Sequence, residues 1–320
     1  MHAIDVSTGQ AACAYRGETP WHGLGTALDD NATVEQWVVA AGLNWNAVKA
    51  PVRYAMPDGT TRDYYGRSVI YRDDTEAALG VVSDSYQIVQ PREVVEFFKD
   101  AVGQADMKLE VAGALFDGKR FWATARLNAD ELIINGVDEI RPYVLLITSA
   151  DGSLATNASL VSTRVVCNNT AQIAMRENGQ RVRVTHAAQF DSNIIKSRMG
   201  LIDGAWGDFK AKVLKMAETE VSKDQAYEFF IKLLMDESKK NEGPNALIQK
   251  KANDFVDRFL NGIGAESHAG NAWGLYCATT EHTNYSGRGG DDHRMWAALY
   301  GSKAKMVQKA EDLIEDLVMA

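Results

Sequence analysis

The chain is expected to fold as an α+β protein, with an antiparallel, β-hairpin-rich N-terminal half carrying packed helices and a largely helical C-terminal half. Three observations predict this. β-Prone runs separated by Pro-Asp-Gly and Asp-Gly turns dominate the first part of the sequence. Apolar residues at helical spacing dominate after about residue 187. Strands come first and helices after, without the strict alternation of an α/β fold. The boundary is soft: 1–186 forms an α+β core and 187–320 a helical region, and one continuous domain satisfies the same pattern.

The elements follow in order. "DDNATVEQWVVAAGL" offers Asp30, Asn31 and Thr33 as caps before an apolar helix bearing Trp37. "VRYAMPDGTTRDYYGRSVIY" places two β-prone runs around Pro57-Asp58-Gly59, where proline presets one dihedral and glycine accepts positive φ; the stretch reads as a hairpin. "LGVVSDSYQIV" adds a strand, and "QPREVVEFFKDAVG" a helix with proline in its first turn. "LEVAGALFDGKRFWATARL" repeats the strand, turn, strand signal. Two or more strands come from "YVLLITSADGSLATNASLVSTRVVC". Beyond them, Phe190, Ile194, Leu201, Trp206, Phe209, Val213 and Met216 recur at roughly helical spacing, "VSKDQAYEFFIKLLMDES" and "GPNALIQKKANDFVDRFLNG" have polar starts and amphipathic stripes, and Trp296, Leu299, Tyr300, Val307, Ala310, Ile314 and Leu317 mark a long C-terminal helix.

Composition narrows the function. With 320 residues, 46% of them hydrophobic, the chain can bury a large core. Its mean hydropathy is −0.25, and neither a membrane-spanning run nor the pattern of a secretory signal is visible. A cytoplasmic location is expected. Cys13, Cys167 and Cys277 are widely spaced and odd in number, so reduced thiols are expected rather than a disulfide framework or zinc site. A net charge of −9 and pI near 5.3 argue against nucleic-acid binding by bulk charge. Cations are concentrated locally, however. Arg164, Arg176, Arg181, Arg183, Lys196, Arg198, Lys210, Lys212 and Lys215 face only Glu177, Asp191, Asp203 and Asp208 in the same stretch. A solvated helical face explains such a run equally well.

Four groups of residues could carry chemistry. "TPWHGLG" holds Trp21 and His22 in a glycine-flanked loop, suited to base stacking, proton relay or metal binding, and equally to plugging a gap in the core. Glu281, His282, Asp291, Asp292 and His293 form the best metal-type cluster. Glu281 and His282 are consecutive, so on a helix they point about 100° apart. Cations interleave with aromatics in "LFDGKRFWATARL" (Lys119, Arg120, Trp122) and "TRDYYGRSVIYR" (Arg62, Arg67, Arg72 with Tyr64, Tyr65, Tyr71), the pairing that single-strand binding uses; aromatic cross-strand pairs with snorkelling arginines give the same pattern. Strand alternation puts Arg120 and Trp122 on one face and Phe121 on the other. Finally, "VVCNNTAQIAM" ends a strand at Cys167-Asn168-Asn169. The amides either cap a following helix or, with Arg164, clamp a backbone phosphate at its N-terminus. No phosphate-cradling glycine loop or glycine-flanked nucleophilic serine occurs.

"ETPWHGLG", "STRVVCNNT", "NAWGLYCATTEHTNY" and "RMWAALYGSKAKMVQKA", in that order, resemble the phage/plasmid-like proteins of domain of unknown function 932 over almost the whole chain. The motif residues are Trp21, His22, Trp273, Tyr276, Glu281, Arg294 and Trp296. The sequence departs from that pattern at Cys277, where asparagine is expected, and at His282, where an aromatic or apolar residue is expected. The resemblance implies a phage-type protein in a bacterial host, and its outline is similar to single-strand annealing recombinases of the RecT and Redβ kind. The resulting expectation is a homo-oligomeric protein that binds single-stranded DNA and promotes annealing, recombination or protection, without catalysis or cofactor. Lys119, Arg120, Trp122, Arg164, Asn168, Asn169, Arg181 and Arg183 would form the contact surface. Two alternatives remain: a metal-dependent nuclease or hydrolase on His22, Glu281, His282, Asp291 and His293, and a factor that binds host defence or replication proteins through its acidic surface.

Overall fold

The computed structural model describes residues 4–17, 19, 23–105, 107–164, 181–187, 206–235, 243–286 and 302–319. An α+β architecture is observed, strand-rich first and helical after. The chain enters through β1 (Cys13–Tyr15), β2 (Thr26–Ala27) and α1 (Val34–Ala40). Of the three cap candidates, Thr33 caps the helix. Its side chain accepts from the Gln36 amide, and the Gln36 side chain accepts from Thr33 N at 2.7 Å, a reciprocal box that satisfies two otherwise orphaned donors. Trp37 and Val38 turn inward from it.

The hairpin expected around Pro57-Asp58-Gly59 joins β3 (Ala47–Ala55) to β4 (Thr61–Arg72). Asp58 Oδ1 accepts from the Thr60 amide at 2.9 Å and the Thr60 hydroxyl at 2.7 Å, while Gly59 takes φ +83°. With β5 (Ala78–Ser83) these strands form an antiparallel three-stranded sheet in the order β3-β4-β5. Then α2 (Pro91–Ala105) starts on proline, whose missing N–H falls where the helix has no acceptor for it.

The larger sheet contains β6 (Met107–Leu115), β7 (Arg120–Leu127), β8 (Leu132–Ile134), β9 (Asp138–Ser149), β10 (Thr156–Arg164) and β11 (Arg181–Val184). Its order is β11-β10-β9-β7-β6-β1-β2, with β8 beside β9; β1 and β2 pair in parallel. The β6-β7 turn places Phe116, Asp117 and Gly118 at positive φ. At Gly118 a Cβ would lie 2.9 Å from both the Arg72 guanidinium and the Trp45 ring, so the close approach of the hairpin depends on glycine. Alternation in β7 is as expected: Phe121, Ala123 and Ala125 are fully buried in the main core, while Arg120 and Trp122 are half-buried on the reverse face. On β9 both faces are apolar. Val144 and Leu146 join the main core, whereas Tyr143, Leu145 and Ile147 form a second cluster with Trp122 packed against it.

The helical half contains α3 (206–218), α4 (Lys223–Leu234), α5 (Ala246–Asn261), α6 (Ala265–His268), α7 (Ala272–Tyr285) and α8 (Ser302–Met319). Ser222 with Gln225 forms a second capping box, and Asn245 and Asn271 cap α5 and α7. Phe230, Phe255, Phe259 and Trp273 are fully buried, each worth about 1.5–3 kcal/mol of burial. One apolar cluster runs from Ala12 through Phe121 and Phe255 to Ile314, so both halves share a core. Polar ties cross the same junction: Trp206 Nε1 donates to Asp130 O at 3.0 Å, and Asn135 Nδ2 to Ser267 O at 2.7 Å. Among the described residues no helix is long and apolar enough to cross a membrane.

Candidate nucleic-acid interface

The expected contact residues are only partly brought together. Asn168, Asn169, Trp21, His22, Asp291, His293, Arg294 and Trp296 lie outside the described residues. Arg181 and Arg183 are on edge strand β11, paired with Ser159 and Asn157 of β10. Arg164 ends β10 opposite Ile140, about 23 Å along the strand from Asn157 at ~3.3 Å per residue. The backbone therefore separates Arg164 from Arg183. Lys212 is bound to Glu315 and Lys210 lies over the Trp206 ring at 5.9 Å, so the cationic stretch does not form one uniform patch. Lys119 is half-buried in the β6-β7 turn. The Arg120 guanidinium donates to Ser153 Oγ at 3.1 and 3.3 Å and lies over the Phe116 ring at 4.8 Å. Trp122 packs between the two minor apolar clusters.

A more exposed constellation is assembled by the three-stranded sheet. Pairing of β3 with β4 slips between Pro51/Ser68 and Arg53/Asp63, so Tyr64, Tyr65, Gly66 and Arg67 bulge opposite Val52. Two sequence features account for the slip. Pro51 cannot donate to a ladder, and Gly66 sits at φ +81°, where a side chain would strain the backbone. The bulge turns Tyr65 outward until 89% of it is exposed, with Tyr64 at 55% beside it. Arg62 and Arg67 are exposed and without a carboxylate partner among the described residues; Arg53 is paired with Asp63 at 2.8 Å. Lys49 is committed elsewhere, donating to the backbone oxygens of Asp84 and Tyr86.

This bulge meets β11 across the end of β5. Arg67 pairs with Ser83 in the β4-β5 ladder, and Ser83 lines a cavity of about 270 Å³ with Ser85, Tyr86, Gly152, Arg183, Thr185 and His186. A second hollow of about 330 Å³, lined by Tyr64, Tyr65, Arg67, Ser68 and Asp84, adjoins it through the Ser83–Ser85 segment. Arg183 is exposed and has no carboxylate partner among the described residues. His186 forms the inner wall. Its ring stacks on Tyr86 at 4.5 Å, Nδ1 lies 2.9 Å from Gln87 O and Nε2 3.0 Å from Leu154 O. Tyr86 Oη in turn donates to Ser149 O at 2.8 Å, and burial raises its phenol above the ordinary range. In the connection between β9 and β10 that carries Gly152, Ser153 holds Arg120. Flat rings and cations thus line one hollow, hydroxyls and a cation the other, and the Arg67–Ser83 pairing links them, the combination that phosphates and unstacked bases require.

Sequence reasoning saw the cations and tyrosines of β4 but not Ser83, Ser85, Thr185 or His186. Gly66 inside a strand and Pro51 in its partner were the available signal for the bulge. Nothing in "SDSY" or "VTHA" announces a shared cavity, because the two segments are about a hundred residues apart.

The motif residues of α7 are structural. Trp273 and Tyr276 are fully buried and stacked at 5.3 Å, and Trp273 Nε1 reaches Asp138 Oδ2 at 3.4 Å. Glu281 binds Arg258 through one oxygen and accepts from the Ile263 amide at 2.9 Å through the other. His282 lies against Phe255 at 4.2 Å; burial, then the charge of Arg258, pushes its imidazole down to about 4. It therefore fills, as a neutral ring, a position where an aromatic residue was expected. Cys277 is also buried. Among the described residues no three His, Cys, Asp or Glu side chains converge as metal ligands do.

Fold and surface together define an α+β protein with an exposed aromatic-cationic bulge beside a polar cavity. The family model described as domain of unknown function (DUF932) matches residues 78–314, and the chain belongs to that family. The match includes β5, β11 and the cavity between them, and starts after the Tyr65 bulge. No curated protein and no solved structure matches the chain.

Proposed function

We propose that this protein binds single-stranded DNA through its phosphates and unstacked bases, promoting annealing or protecting the strand without catalysing a reaction on it. One observation carries the proposal: Arg67, in the β4 bulge that exposes Tyr65, pairs with Ser83, and Ser83 lines the cavity that Arg183 lines from β11. Tyrosine supplies a sequence-tolerant stacking face, and each arginine a cation for the backbone. In this reading Arg120 borders the surface through Ser153, and Trp122 supports the sheet behind it. A phage-type setting and self-assembly into an oligomer follow from the family resemblance and belong to the same proposal. The metal-hydrolase reading is weaker, because Glu281 and His282 have packing and ion-pair roles.

Fluorescence anisotropy of a labelled oligo-dT, titrated at several salt concentrations, tests the proposal. Affinity is expected to fall with salt, and Arg67→Ala with Arg183→Ala to reduce the logarithmic slope by about 1.4, at ~0.7 per phosphate contact on a single strand. Absence of binding to any single-stranded oligonucleotide at low salt refutes it.

A further inference from the structure

We propose that the cavity between the end of β5 and β11 is a phosphate-binding subsite, with Arg183 as its cation and Ser83, Ser85 and Thr185 as hydroxyl donors. The assignment deepens the single-strand reading and rests on it for the source of the phosphate, although the subsite itself is defined by chemistry alone. Among the described residues no carboxylate lines the cavity, although the chain carries 43 Asp and Glu against 34 Lys and Arg. The neighbouring hollow, in contrast, contains Asp63 and Asp84. An anion entering beside Arg183 therefore meets hydroxyl donors and a cation in the described lining, with a carboxylate influence reaching Tyr86 from Asp151.

The donor geometry supports this. Ser83 Oγ and Ser85 Oγ are 3.1 Å apart, so one hydroxyl proton bridges them and the other is left to point outward. Thr185 Oγ1 makes no hydrogen bond among the described residues, and Arg183 brings a planar fork of N–H groups suited to two phosphate oxygens at once. His186 does not contact the anion in this arrangement. Both its ring nitrogens face backbone carbonyls, and Gln87 N donates to His186 O at 2.7 Å. His186 is thus a positioning residue that fixes the Thr185 backbone against Tyr86. Gly152, also in the lining, sits at φ +76°, and a Cβ there would lie 3.1 Å from Val82 Cγ1. At about 270 Å³ the cavity holds on the order of nine water volumes, enough for a phosphate and part of an attached sugar.

Three sources share this chemistry: an internal phosphodiester, a terminal phosphomonoester and free phosphate. The experiment uses the full chain. Inorganic phosphate is titrated against it with chloride at matched ionic strength as control, followed by amide chemical shifts, and oligo-dT with a 5′-hydroxyl or a 5′-phosphate is titrated in parallel. Phosphate is expected to shift the Ser83, Ser85 and Thr185 amides. Arg183→Ala and the pair Ser83→Ala with Ser85→Ala are each expected to weaken phosphate about tenfold at unchanged melting temperature, with Arg183→Lys intermediate. Equal affinity for the two oligonucleotides indicates an internal phosphodiester; preference for the 5′-phosphate indicates a strand end. Phosphate that shifts no cavity amide, or binds the variants as tightly as the native chain, overturns the subsite. Oligonucleotide binding that persists unchanged in those variants leaves the single-strand reading standing without the subsite. Phosphate binding without oligonucleotide binding leaves the subsite standing without that reading.

Discussion

Replacing Arg72 with alanine is expected to destabilise the fold by about 3–5 kcal/mol, because it strands a buried carboxylate. The arginine ends β4, the strand that carries the bulge. Its guanidinium is 1% exposed, donates from Nη1 to Asp5 Oδ2 at 2.6 Å and grips Asp74 with Nε and Nη2 at 2.9 and 2.7 Å. It also lies over the Trp45 ring at 4.5 Å. Asp74 is 32% exposed and can return to water, but Asp5 is 2% exposed and, among the described residues, keeps only the Ser7 amide at 2.8 Å on its other oxygen. Most of the loss therefore comes from the Asp5 charge, and the cation–π contact adds about 1 kcal/mol. Removing both charges should cost far less, so Asp5→Asn with Arg72→Met is expected to lie within about 2 kcal/mol of the native chain. Urea denaturation measures this as a shift in midpoint at constant m. A loss below about 1 kcal/mol for Arg72→Ala, or equal losses for the single and double variants, would refute the assignment of a stranded charge.

His282 gives an acid-sensitive contribution. Its folded-state value of about 4 lies below the ordinary 6.5, so the unfolded chain binds its proton first; stability is intact above pH 6.5 and falls through the window down to about 4, by up to about 3 kcal/mol. His282→Phe should flatten that part of the stability–pH curve, and an unchanged curve contradicts the burial argument. Gly274→Ala would push a methyl against the His268 carbonyl and the Phe259 ring, so it should lower stability by about 1–3 kcal/mol in the same denaturation assay; a neutral effect would mean that α6 and α7 can separate freely. Tyr65→Ala should leave the melting temperature unchanged, since the ring is 89% exposed, and weaken oligo-dT by about 1–3 kcal/mol; unaltered binding removes stacking from the proposal.

Local chemistry made much of the fold legible. Thr33 and the polar starts of "VSKDQ" and "GPNAL" announced helices because a cap hydrogen bond spans only three residues; Ser222 and Asn245 turn out to be the caps. Pro57-Asp58-Gly59 and Asp117-Gly118 announced hairpins because only certain residues tolerate the required dihedrals. The alternation of Arg120, Phe121 and Trp122 assigned the faces of β7. The candidate site was less legible. Arg72 looked like one more cation among tyrosines, whereas a carboxylate 67 positions away makes it a buried structural ion.

What the sequence determined by itself is what neighbours along the chain decide: element type, turn position, strand face and the local concentration of cations. Tertiary structure alone decided which of those cations share a surface. Arg67 reaches Ser83 by strand pairing, and Ser83 reaches Arg183 only because β11 closes the edge of a different sheet. Electrostatic and hydrogen-bonding forces act over a few ångströms of space, and no pattern of local spacing records a contact between segments about a hundred residues apart.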